Sequence, residues 1–259
     1  MSRTENISGA ERQGRLSRLV EQRRRVSVTE ICEMFGVSVA TARRDLDTLA
    51  EGGRVQRVHG GAIVAQSAPP EGPVLERTLE QAEEKRRIGE AAAKLIEPRD
   101  SVFIGSGTTS LEVARNLPEG AELTVVTNSL LALNALADRA DVTLVCLGGM
   151  LRHSEGSMIG HIAEQALKEL RLHKVFLGVR ALDVEAGLTN DYLPEAMTDR
   201  QILAAGRQVI LLADHTKCGR VSSGFLAPLS KIHTLITDTG TSPDFVKNVR
   251  AAGVNVLTV

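Results

Sequence analysis

The residues with the clearest potential for chemistry form a run of glycines and hydroxyl side chains, Gly105-Ser106-Gly107-Thr108-Thr109-Ser110, directly after a short apolar stretch. A helical pattern follows the run and extends to Leu117. Glycines let the backbone approach an anion, hydroxyl groups donate hydrogen bonds, and the free N–H groups at a helix N-terminus carry partial positive charge. The run is therefore typical of a phosphate-binding loop.

Polar residues also follow three other apolar stretches, as Thr127-Asn128-Ser129, as Gly148-Gly149 and as Asp214 with Lys217. In an open α/β sheet, the carboxyl ends of the strands border one crevice. We therefore expect these residues to surround a phosphorylated small molecule, with its phosphate on the Gly-Thr run near Lys85 of the preceding helix. The alternative is that the glycines and hydroxyls only form tight turns and helix caps.

Neither a nucleotide cofactor nor a metal ion is expected. The spacing Gly105-x-Gly107-x-x-Ser110 lacks the third glycine of the dinucleotide fingerprint, and Asn128 stands where an acidic residue would hold the ribose hydroxyls. No GxxxxGK followed by Ser or Thr occurs in the chain, which excludes a P-loop. Asp214, His215 and Cys218 are close in sequence, but no second pair of ligands completes a zinc site.

The first 62 residues contain a second pattern with a chemical use. Apolar residues recur at helical spacing from Glu11 to Leu49, in three groups, and Gly36 separates the last two groups. Ser38 is expected to cap the third helix by accepting a hydrogen bond from one of its first N–H groups. Alternating residues from Arg54 to Val58, followed by Gly60-Gly61, predict a short hairpin. Two short helices, a third amphipathic helix and a basic hairpin form a winged helix-turn-helix.

On a helical wheel of the third helix, Val39, Ala42, Leu46 and Leu49 form the predicted core side. The opposite side carries small and hydroxyl residues around an arginine, and this surface suits the major groove of DNA because it combines little bulk with a forked donor. The predicted DNA-binding residues are Ser38, Ala40, Thr41, Arg43, Arg44, Thr48, Arg54, Arg57 and His59. The alternative is a solvated helix face, with Arg43 and Asp47 as an ion pair four residues apart.

A proline-rich segment, residues 67–73, excludes a continuous helix and predicts a linker. We place the winged helix-turn-helix at 1–62, the linker at 63–75 and a second domain at 76–259. The second domain begins with a predicted helix from Leu79 to Ile96. Seven short apolar runs follow, mostly separated by helical stretches, at 102–104, 123–126, 142–147, 174–177, 209–213, 234–237 and 254–257. Apolar strands that alternate with helices predict an open, mostly parallel α/β sheet.

Composition narrows the classes of function. Hydrophobic residues make up 42% and charged residues 24% of the chain, as in folded globular domains, whereas the 2% of aromatic residues are too few for a surface that stacks RNA bases. Residues 1–66 hold 11 arginines and no lysine against 8 acidic residues, and the rest of the chain is acidic. No apolar run approaches the ~18 residues of a membrane helix, and the three cysteines are scattered, which is typical of a reducing compartment. We expect a cytoplasmic protein whose N-terminal part faces an anion.

Two runs in the N-terminal part, Val37-Ser38-Val39-Ala40-Thr41-Ala42-Arg43-Arg44-Asp45-Leu46-Asp47-Thr48-Leu49 and Arg57-Val58-His59-Gly60-Gly61-Ala62, closely resemble the signature of the DeoR family of bacterial transcriptional regulators. Short motifs extend the resemblance over nearly the whole chain: Gly107-Thr108-Thr109, Thr127-Asn128-Ser129, Leu147-Gly148-Gly149, Gly187-Leu188-Thr189, Leu212-Ala213-Asp214 and Ile236-Thr237-Asp238. The resemblance implies a repressor whose C-terminal domain binds a phosphorylated sugar or related metabolite and resembles ribose-5-phosphate isomerase in fold.

That fold raises the alternative of an enzyme, a sugar-phosphate isomerase fused to a DNA-binding module. Isomerases of this fold carry the motif G-A-D-E-I-D, where this chain has Gly178-Val179-Arg180-Ala181-Leu182-Asp183. Arg180 and Ala181 replace two acidic residues, and no lysine directly follows Gly187, so the acid–base set that aldose–ketose proton transfer needs is incomplete. We expect no enzyme activity. Arg180 is instead expected to add positive charge near the phosphate, and Asp183 to meet ligand hydroxyls.

The sequence thus predicts a DNA-binding regulator, a repressor of sugar or polyol catabolic genes that a phosphorylated effector releases from double-stranded operator DNA. The predicted effector-binding residues are Lys85, Gly105, Ser106, Gly107, Thr108, Thr109, Ser110, Asn128, Gly148, Gly149, Arg180, Asp183, Asp214 and Lys217. Since one recognition helix contacts few bases, we also expect a homo-oligomer, a dimer or tetramer, and no membrane partner. A further alternative is an activator that binds no small molecule.

Overall fold

The computed structural model describes residues 8–23, 25–51, 55–58, 60–64, 68 and 72–259. The chain divides into two compact units, residues 1–71 and 72–259. Within the described ranges, no helix has the length and apolar character that crossing a membrane requires.

The connection between the units is shorter than the predicted linker at 63–75. Ile63 and Val64 lie in a strand of the first unit. Val74 is buried in the second unit, where its N–H donates to the carbonyl of Ser154 at 2.7 Å. The predicted linker therefore includes residues that belong to the two units: strand residues of the first unit at its start and a buried residue of the second unit at its end.

The first unit combines helices α1 (Gly9–Arg23), α2 (Val28–Phe35) and α3 (Val39–Glu51) with strands β1 (Arg25–Ser27), β2 (Val55–Val58) and β3 (Gly61–Val64). The strands pair antiparallel in the order β1-β3-β2. The predicted hairpin is confirmed as β2 and β3. Strand β1 has no counterpart in the sequence prediction, because three residues with one buried side chain are too few to form an alternating pattern.

Helices α2 and α3 form the helix-turn-helix. The Ser27 hydroxyl accepts the N–H of Glu30 at 3.2 Å, and the Glu30 carboxylate accepts the N–H of Ser27 at 2.7 Å, which is a reciprocal capping box at the start of α2. Helix α2 ends at Phe35, and Gly36 follows with a φ of 63°, in the left-handed region that favours glycine. The Ser38 hydroxyl accepts the N–H of Thr41 at 3.2 Å, which confirms the predicted cap of α3.

The second unit is built from strands and helices that alternate along the chain. Its strands are β4 (Ser101–Ile104), β5 (Leu123–Thr127), β6 (Val142–Cys146), β7 (Met150–Arg152), β8 (Ser157–Ile159), β9 (Leu172–Gly178), β10 (Ala181–Asp183), β11 (Gly187–Asn190), β12 (Gly206–Leu212), β13 (Gly224–Ala227), β14 (Thr234–Thr237) and β15 (Asn255–Thr258). Its helices are α4 (Ala82–Ala93), α5 (Thr108–Arg115), α6 (Leu130–Leu136), α7 (His161–Lys168), α8 (Leu193–Ala205) and α9 (Pro243–Ala251). Single 3₁₀ turns span Glu76–Thr78, His215–Lys217 and Leu229–Lys231.

Within residues 72–259, seven strands form one parallel sheet in the order β15-β14-β12-β9-β4-β5-β6. Each of the seven predicted apolar runs is one of these strands, so the open parallel α/β class is confirmed. Phe103 belongs to one buried cluster, whereas its neighbours Val102 and Ile104 belong to another, so apolar side chains cover both faces. The short antiparallel strands β7, β8, β10, β11 and β13 have no counterpart in the prediction.

Helix α4 is shorter than the predicted helix from Leu79 to Ile96. Gln81 has a φ of 49°, which is incompatible with a continuous helix, so α4 begins only at Ala82. At the other end, Lys94 and Leu95 form a turn before Pro98. The backbone conformation at both ends therefore makes α4 shorter than the predicted helix.

Strand β3 passes so close to β1 that position 61 requires glycine. A Cβ on Gly61 would lie 2.2 Å from the carbonyl oxygen of Val26. We predict that Gly61→Ala destabilises the first unit by ~1–3 kcal/mol or more, because the backbone must shift to relieve the overlap. In the control, Gly14→Ala, the added methyl meets open space on α1, so helix propensity should stabilise the unit by ~0.5–1 kcal/mol. Urea unfolding followed by far-UV circular dichroism measures both, and equal midpoints for the two variants would contradict the close approach.

Candidate functional site

A buried carboxylate holds α3 against α1. Asp45 is 3% exposed and accepts hydrogen bonds from Arg12 Nε at 2.6 Å, from Arg12 Nη2 at 3.1 Å and from Gln13 Nε2 at 3.0 Å. The bidentate contact orients both side chains, and its hydrogen bonds raise the pKa of Arg12 above the usual value. Sequence reasoning missed this contact because the partners of Asp45 lie 32 and 33 residues earlier in the chain.

The side of α3 that faces away from the buried residues Ala42, Leu46 and Leu49 is open to solvent. The predicted DNA-binding residues that are exposed there are Ser38, Ala40, Arg43, Arg44 and Thr48, and Thr41 is half-buried. Among the residues that the structure describes, no carboxylate pairs with Arg43 or Arg44. Val39 corrects the prediction, since it was assigned to the core side but is 49% exposed. Helical side chains point toward the N-terminus, so the side chain of the first residue projects past the end of the core.

Arg57, on β2, has partners within the first unit. Its Nε lies 3.0 Å from Asp47 Oδ1 on α3, and its Nη1 donates to the carbonyl of Gly61 at 3.0 Å. The alternative interpretation of α3 expected an ion pair between Asp47 and Arg43. In the structure, Asp47 pairs with Arg57 instead. Both side chains are partly exposed, so the pair contributes only ~0–1 kcal/mol, and a phosphate could replace Asp47 at low cost. The predicted contacts Arg54 and His59 lie outside the described residues.

In the second unit, the direction in which strands are added to the sheet reverses between β4 and β9. From β4 the chain adds β5 and β6 on one side, and β9, β12, β14 and β15 then follow on the other side. Open α/β sheets bind ligands at the carboxyl ends of the strands beside such a switch point. The Gly-Thr run 105–110 follows β4, and Arg180 follows β9, so both border this crevice.

The Gly-Thr run forms the turn from β4 into α5. Gly107 has a φ of 96° and directly precedes Thr108, the first residue of the helix. Among the described residues, no side chain caps α5, so its first N–H groups remain available to an anion. A Cβ at Gly178, the last residue of β9, would lie 3.8 Å from both the Ser106 carbonyl oxygen and the Ser110 hydroxyl. The turn after β4 therefore packs directly against the end of β9.

Two buried polar atoms at this edge of the sheet lack a hydrogen-bond partner in the part of the chain that the structure describes. They are the hydroxyl of Ser110, which is 0% exposed, and Oδ1 of Asn128, which is 1% exposed. The Asn128 Nδ2 donates to the carbonyl of Met158 at 3.2 Å, and this acceptor defines the orientation of the amide. A buried unpaired polar group costs about 1–3 kcal/mol. The two atoms thus mark positions where a polar ligand gains hydrogen bonds.

Lys85, on α4, is a buried cation beside two other predicted site residues. Its Nζ donates to the main-chain carbonyl of Arg77 at 2.8 Å. Burial lowers the pKa of Lys85, the Asp214 carboxylate partly opposes this effect, and the positive charges of Lys217 and Arg77 lower the pKa further. The charges of Asp214 and Lys217 thus act on Lys85. A phosphate at this position would favour the charged form of Lys85.

Asp214 also has a local structural role. Its Oδ1 accepts the N–H of Thr216 at 2.9 Å and the Thr216 hydroxyl, which caps the 3₁₀ turn that follows β12. In that turn, the N–H of His215 donates to Asp238 at 2.6 Å, and its Nδ1 lies 2.8 Å from the same carboxylate. Among the described residues, no three His, Cys, Asp or Glu side chains are arranged to hold a metal ion.

Arg180 and Asp183 have partners that the sequence did not indicate. Arg180 is 7% exposed, and its Nε donates to Asp191 Oδ2 at 3.0 Å. Arg180 therefore has a carboxylate partner in Asp191, and its contribution of positive charge near a phosphate stays a prediction. Asp183 accepts the N–H groups of Glu185 at 2.9 Å and Ala186 at 3.0 Å, which closes the turn from β10 to β11.

Gly148 and Gly149 serve the hairpin that follows β6. Gly149 has a φ of 139°, and a Cβ there would lie 2.6 Å from the carbonyl oxygen of Ile159, so glycine is needed where β7 meets β8. Gly148 lies against Ile162 of α7: a Cβ at Gly148 would lie 3.6 Å from Cγ2 of Ile162. At this pair, the structure supports the alternative that the glycines form a tight turn.

Sequence reasoning missed two ion pairs and a buried acidic residue of the second unit. Arg77 Nη2 lies 2.5 Å from Glu155 Oε2, and Arg152 pairs with Glu195. Burial and the negative charge of Glu195 raise the pKa of Asp199 well above its usual value. Arg77 is 78 residues from Glu155, and Arg152 is 43 from Glu195, so no local spacing reveals these pairs.

Comparisons with known proteins agree with both parts of this architecture. The model of the DeoR-like helix-turn-helix domain matches residues 12–68, and that of the DeoR C terminal sensor domain matches residues 80–239. An uncharacterized HTH-type transcriptional regulator of Bacillus subtilis (strain 168) is 32% identical, over 96% of this chain and 96% of its own length. The HTH-type transcriptional regulator GlpR of Haloferax volcanii is 35% identical, over 96% and 97%. The glycerol-3-phosphate regulon repressor of Escherichia coli (strain K12) is 36% identical, over 85% and 87%. The chain therefore belongs to the DeoR family of helix-turn-helix transcriptional regulators.

Proposed function

We propose that this regulator represses genes of sugar or polyol catabolism, and that a phosphorylated sugar or related metabolite releases it from operator DNA. The similarity to a glycerol-3-phosphate regulon repressor supports both repression and the chemical class of the regulated genes. Because its target is operator DNA, we place the regulator in the cytoplasm.

One observation carries the effector proposal: the unpartnered Ser110 hydroxyl and Asn128 Oδ1 lie at the carboxyl ends of the neighbouring strands β4 and β5. In this proposal, the phosphate accepts hydrogen bonds from the N–H groups that begin α5, and Lys85 supplies the counter-charge. Asn128 Oδ1 and Asp214 are acceptors, so they suit the hydroxyl groups of a sugar or polyol. The site thus favours a ligand with one strongly anionic end and a neutral hydroxylated body.

For the DNA side, we propose that α3 enters the major groove with Arg44 directed to base edges, and that Ser38, Arg43 and Thr48 lie beside it. Arg57 would exchange Asp47 for a backbone phosphate. Helix-turn-helix proteins gain specificity by binding two half-sites, so we propose a dimer as the smallest functional assembly.

We predict that Arg44→Ala weakens binding to the cognate operator by ~1–3 kcal/mol, because a base contact is lost. Arg99→Ala is the matched control: Arg99 is an exposed arginine of the second unit, paired with Glu122, and its loss should leave operator binding unchanged. Fluorescence anisotropy with the operator and with unrelated duplexes measures both variants. If Arg44→Ala bound the operator with the affinity of the parent, the proposal that Arg44 contacts bases in the major groove would be wrong.

We predict opposite effects of Ser110→Ala on binding and on stability. Removing an unpaired buried hydroxyl should leave the melting temperature unchanged or raised, yet weaken sugar-phosphate binding by ~1.5–3 kcal/mol. The control is Thr127→Val. The Thr127 hydroxyl donates to the Ile104 carbonyl at 2.7 Å and accepts the Ser129 N–H at 3.0 Å, so this variant should lose ~1–3 kcal/mol of stability. Calorimetric titration with a panel of sugar and polyol phosphates, together with thermal unfolding, checks the prediction. If Ser110→Ala binds like the parent, the site lies elsewhere.

We propose further that the chain does not isomerise sugar phosphates. Arg180 is held by Asp191, and Ala181 is fully buried in β10, so neither position offers an acid to a substrate. Purified protein with saturating ribose-5-phosphate should form ketose no faster than a buffer blank. Turnover that co-purifies with the protein would establish the enzyme alternative.

A further inference from the structure

Residues Gly72–Gln81, here called the strap, begin the second unit and continue directly from the end of the first. The strap contains the 3₁₀ turn Glu76–Thr78. It is attached to the turn between β7 and β8 at two points. The N–H of Val74 donates to the Ser154 carbonyl at 2.7 Å, and Arg77 Nη2 lies 2.5 Å from Glu155 Oε2. Any change that loosens the strap therefore acts on the chain segment that carries the DNA-binding unit.

A third attachment connects the strap to the proposed effector site. The Lys85 Nζ donates to the carbonyl of Arg77 at 2.8 Å. Lys85 also lines a pocket of about 420 Å³ together with Thr78 of the strap and Thr108, the first residue of α5. The strap backbone, the buried ammonium and the start of the phosphate-binding helix thus meet in one place.

Lys85 can leave the Arg77 carbonyl at little cost. This carbonyl also accepts the N–H of Glu80 at 3.2 Å, so it stays hydrogen-bonded when the ammonium moves. A phosphate offers full negative charge, whereas a carbonyl offers only a dipole, and a buried ammonium gains most from the stronger partner because little water solvates it. A phosphate at the start of α5 therefore competes successfully for Lys85.

We propose that the strap transmits effector binding to the DNA-binding unit: a phosphate at Gly107–Ser110 draws the Lys85 ammonium from the Arg77 carbonyl and loosens the strap. The inference rests on the proposed effector site and adds the route by which that site acts. Operator DNA and phosphate then favour opposite states of the strap, so each weakens the binding of the other by the same factor.

Hydrogen exchange of the full chain, followed by peptide-resolved mass spectrometry with inorganic phosphate as the probe, tests the route. Phosphate should slow exchange at Thr108–Ser110 and speed exchange in the strap at Val74 and Thr78, whose N–H groups bond to Ser154 and Leu75. Slower exchange at Thr108–Ser110 with an unchanged strap would overturn the inference and leave the effector site standing. No change in either segment would overturn both.

A pair of variants separates transmission from binding. Glu155→Gln removes a buried negative charge that pairs with Arg77, so the strap should be looser without phosphate, and operator affinity should already approach that of the phosphate-bound parent. Phosphate should weaken operator binding by roughly 5–150-fold in the parent but by no more than about twofold in Glu155→Gln. Glu76→Gln makes the same charge change at an exposed position of the strap and should respond like the parent. A full phosphate response in Glu155→Gln would overturn the inference, and the exchange measurement on the parent stands even if this variant fails to fold.

Discussion

The pairing of β9 with β4 is the constraint on which the second unit depends. Parallel pairing brings the carboxyl ends of β4, β5, β9 and β12 to one edge of the sheet, and the change of direction between β4 and β9 places a crevice outside these ends. Ser110 and Gly178, far apart in sequence, become neighbours at this edge. The first N–H groups of α5 face the same place, which is why the proposed anion site can be built from ordinary βα turns. The strap contacts follow from it, since Lys85 reaches both α5 and Arg77.

Buried charged side chains in the second unit have two kinds of partner, a group of opposite charge or a neutral carbonyl. Lys174 pairs with Asp100 at 2.5 Å, just before β4 begins, and a buried pair of this kind is costly to break. Lys85 instead donates to a neutral carbonyl that has a second donor, so an incoming anion can recruit its charge. The first kind of contact holds strands in register. The second kind is suited to a response, because its rearrangement exposes no unpaired charge.

The arginines of the first unit show the same division. Arg12 donates two hydrogen bonds to Asp45, and this contact positions α3 against α1. Arg57 is shared between Asp47 and the Gly61 carbonyl, so it joins the hairpin to α3. Arg43 and Arg44 are exposed and, within the described residues, have no carboxylate partner. Their charge can meet DNA without the loss of an internal ion pair, which makes electrostatic attraction to DNA a net gain for this face.

The sequence by itself determined the elements and much of the candidate surface. Strands buried on both faces appear as apolar runs, so each strand of the parallel sheet was predictable, as were the cap at Ser38 and the Gly-Thr turn before α5. The exposure of Val39, the three-residue strand β1 and the pairs Asp45–Arg12, Arg77–Glu155 and Arg180–Asp191 were not predictable. Periodicity reports only how a segment is buried, whereas these contacts join residues distant in sequence. Only the tertiary structure decided which polar residues share the crevice, because strand order, which no local pattern encodes, sets which carboxyl ends are neighbours.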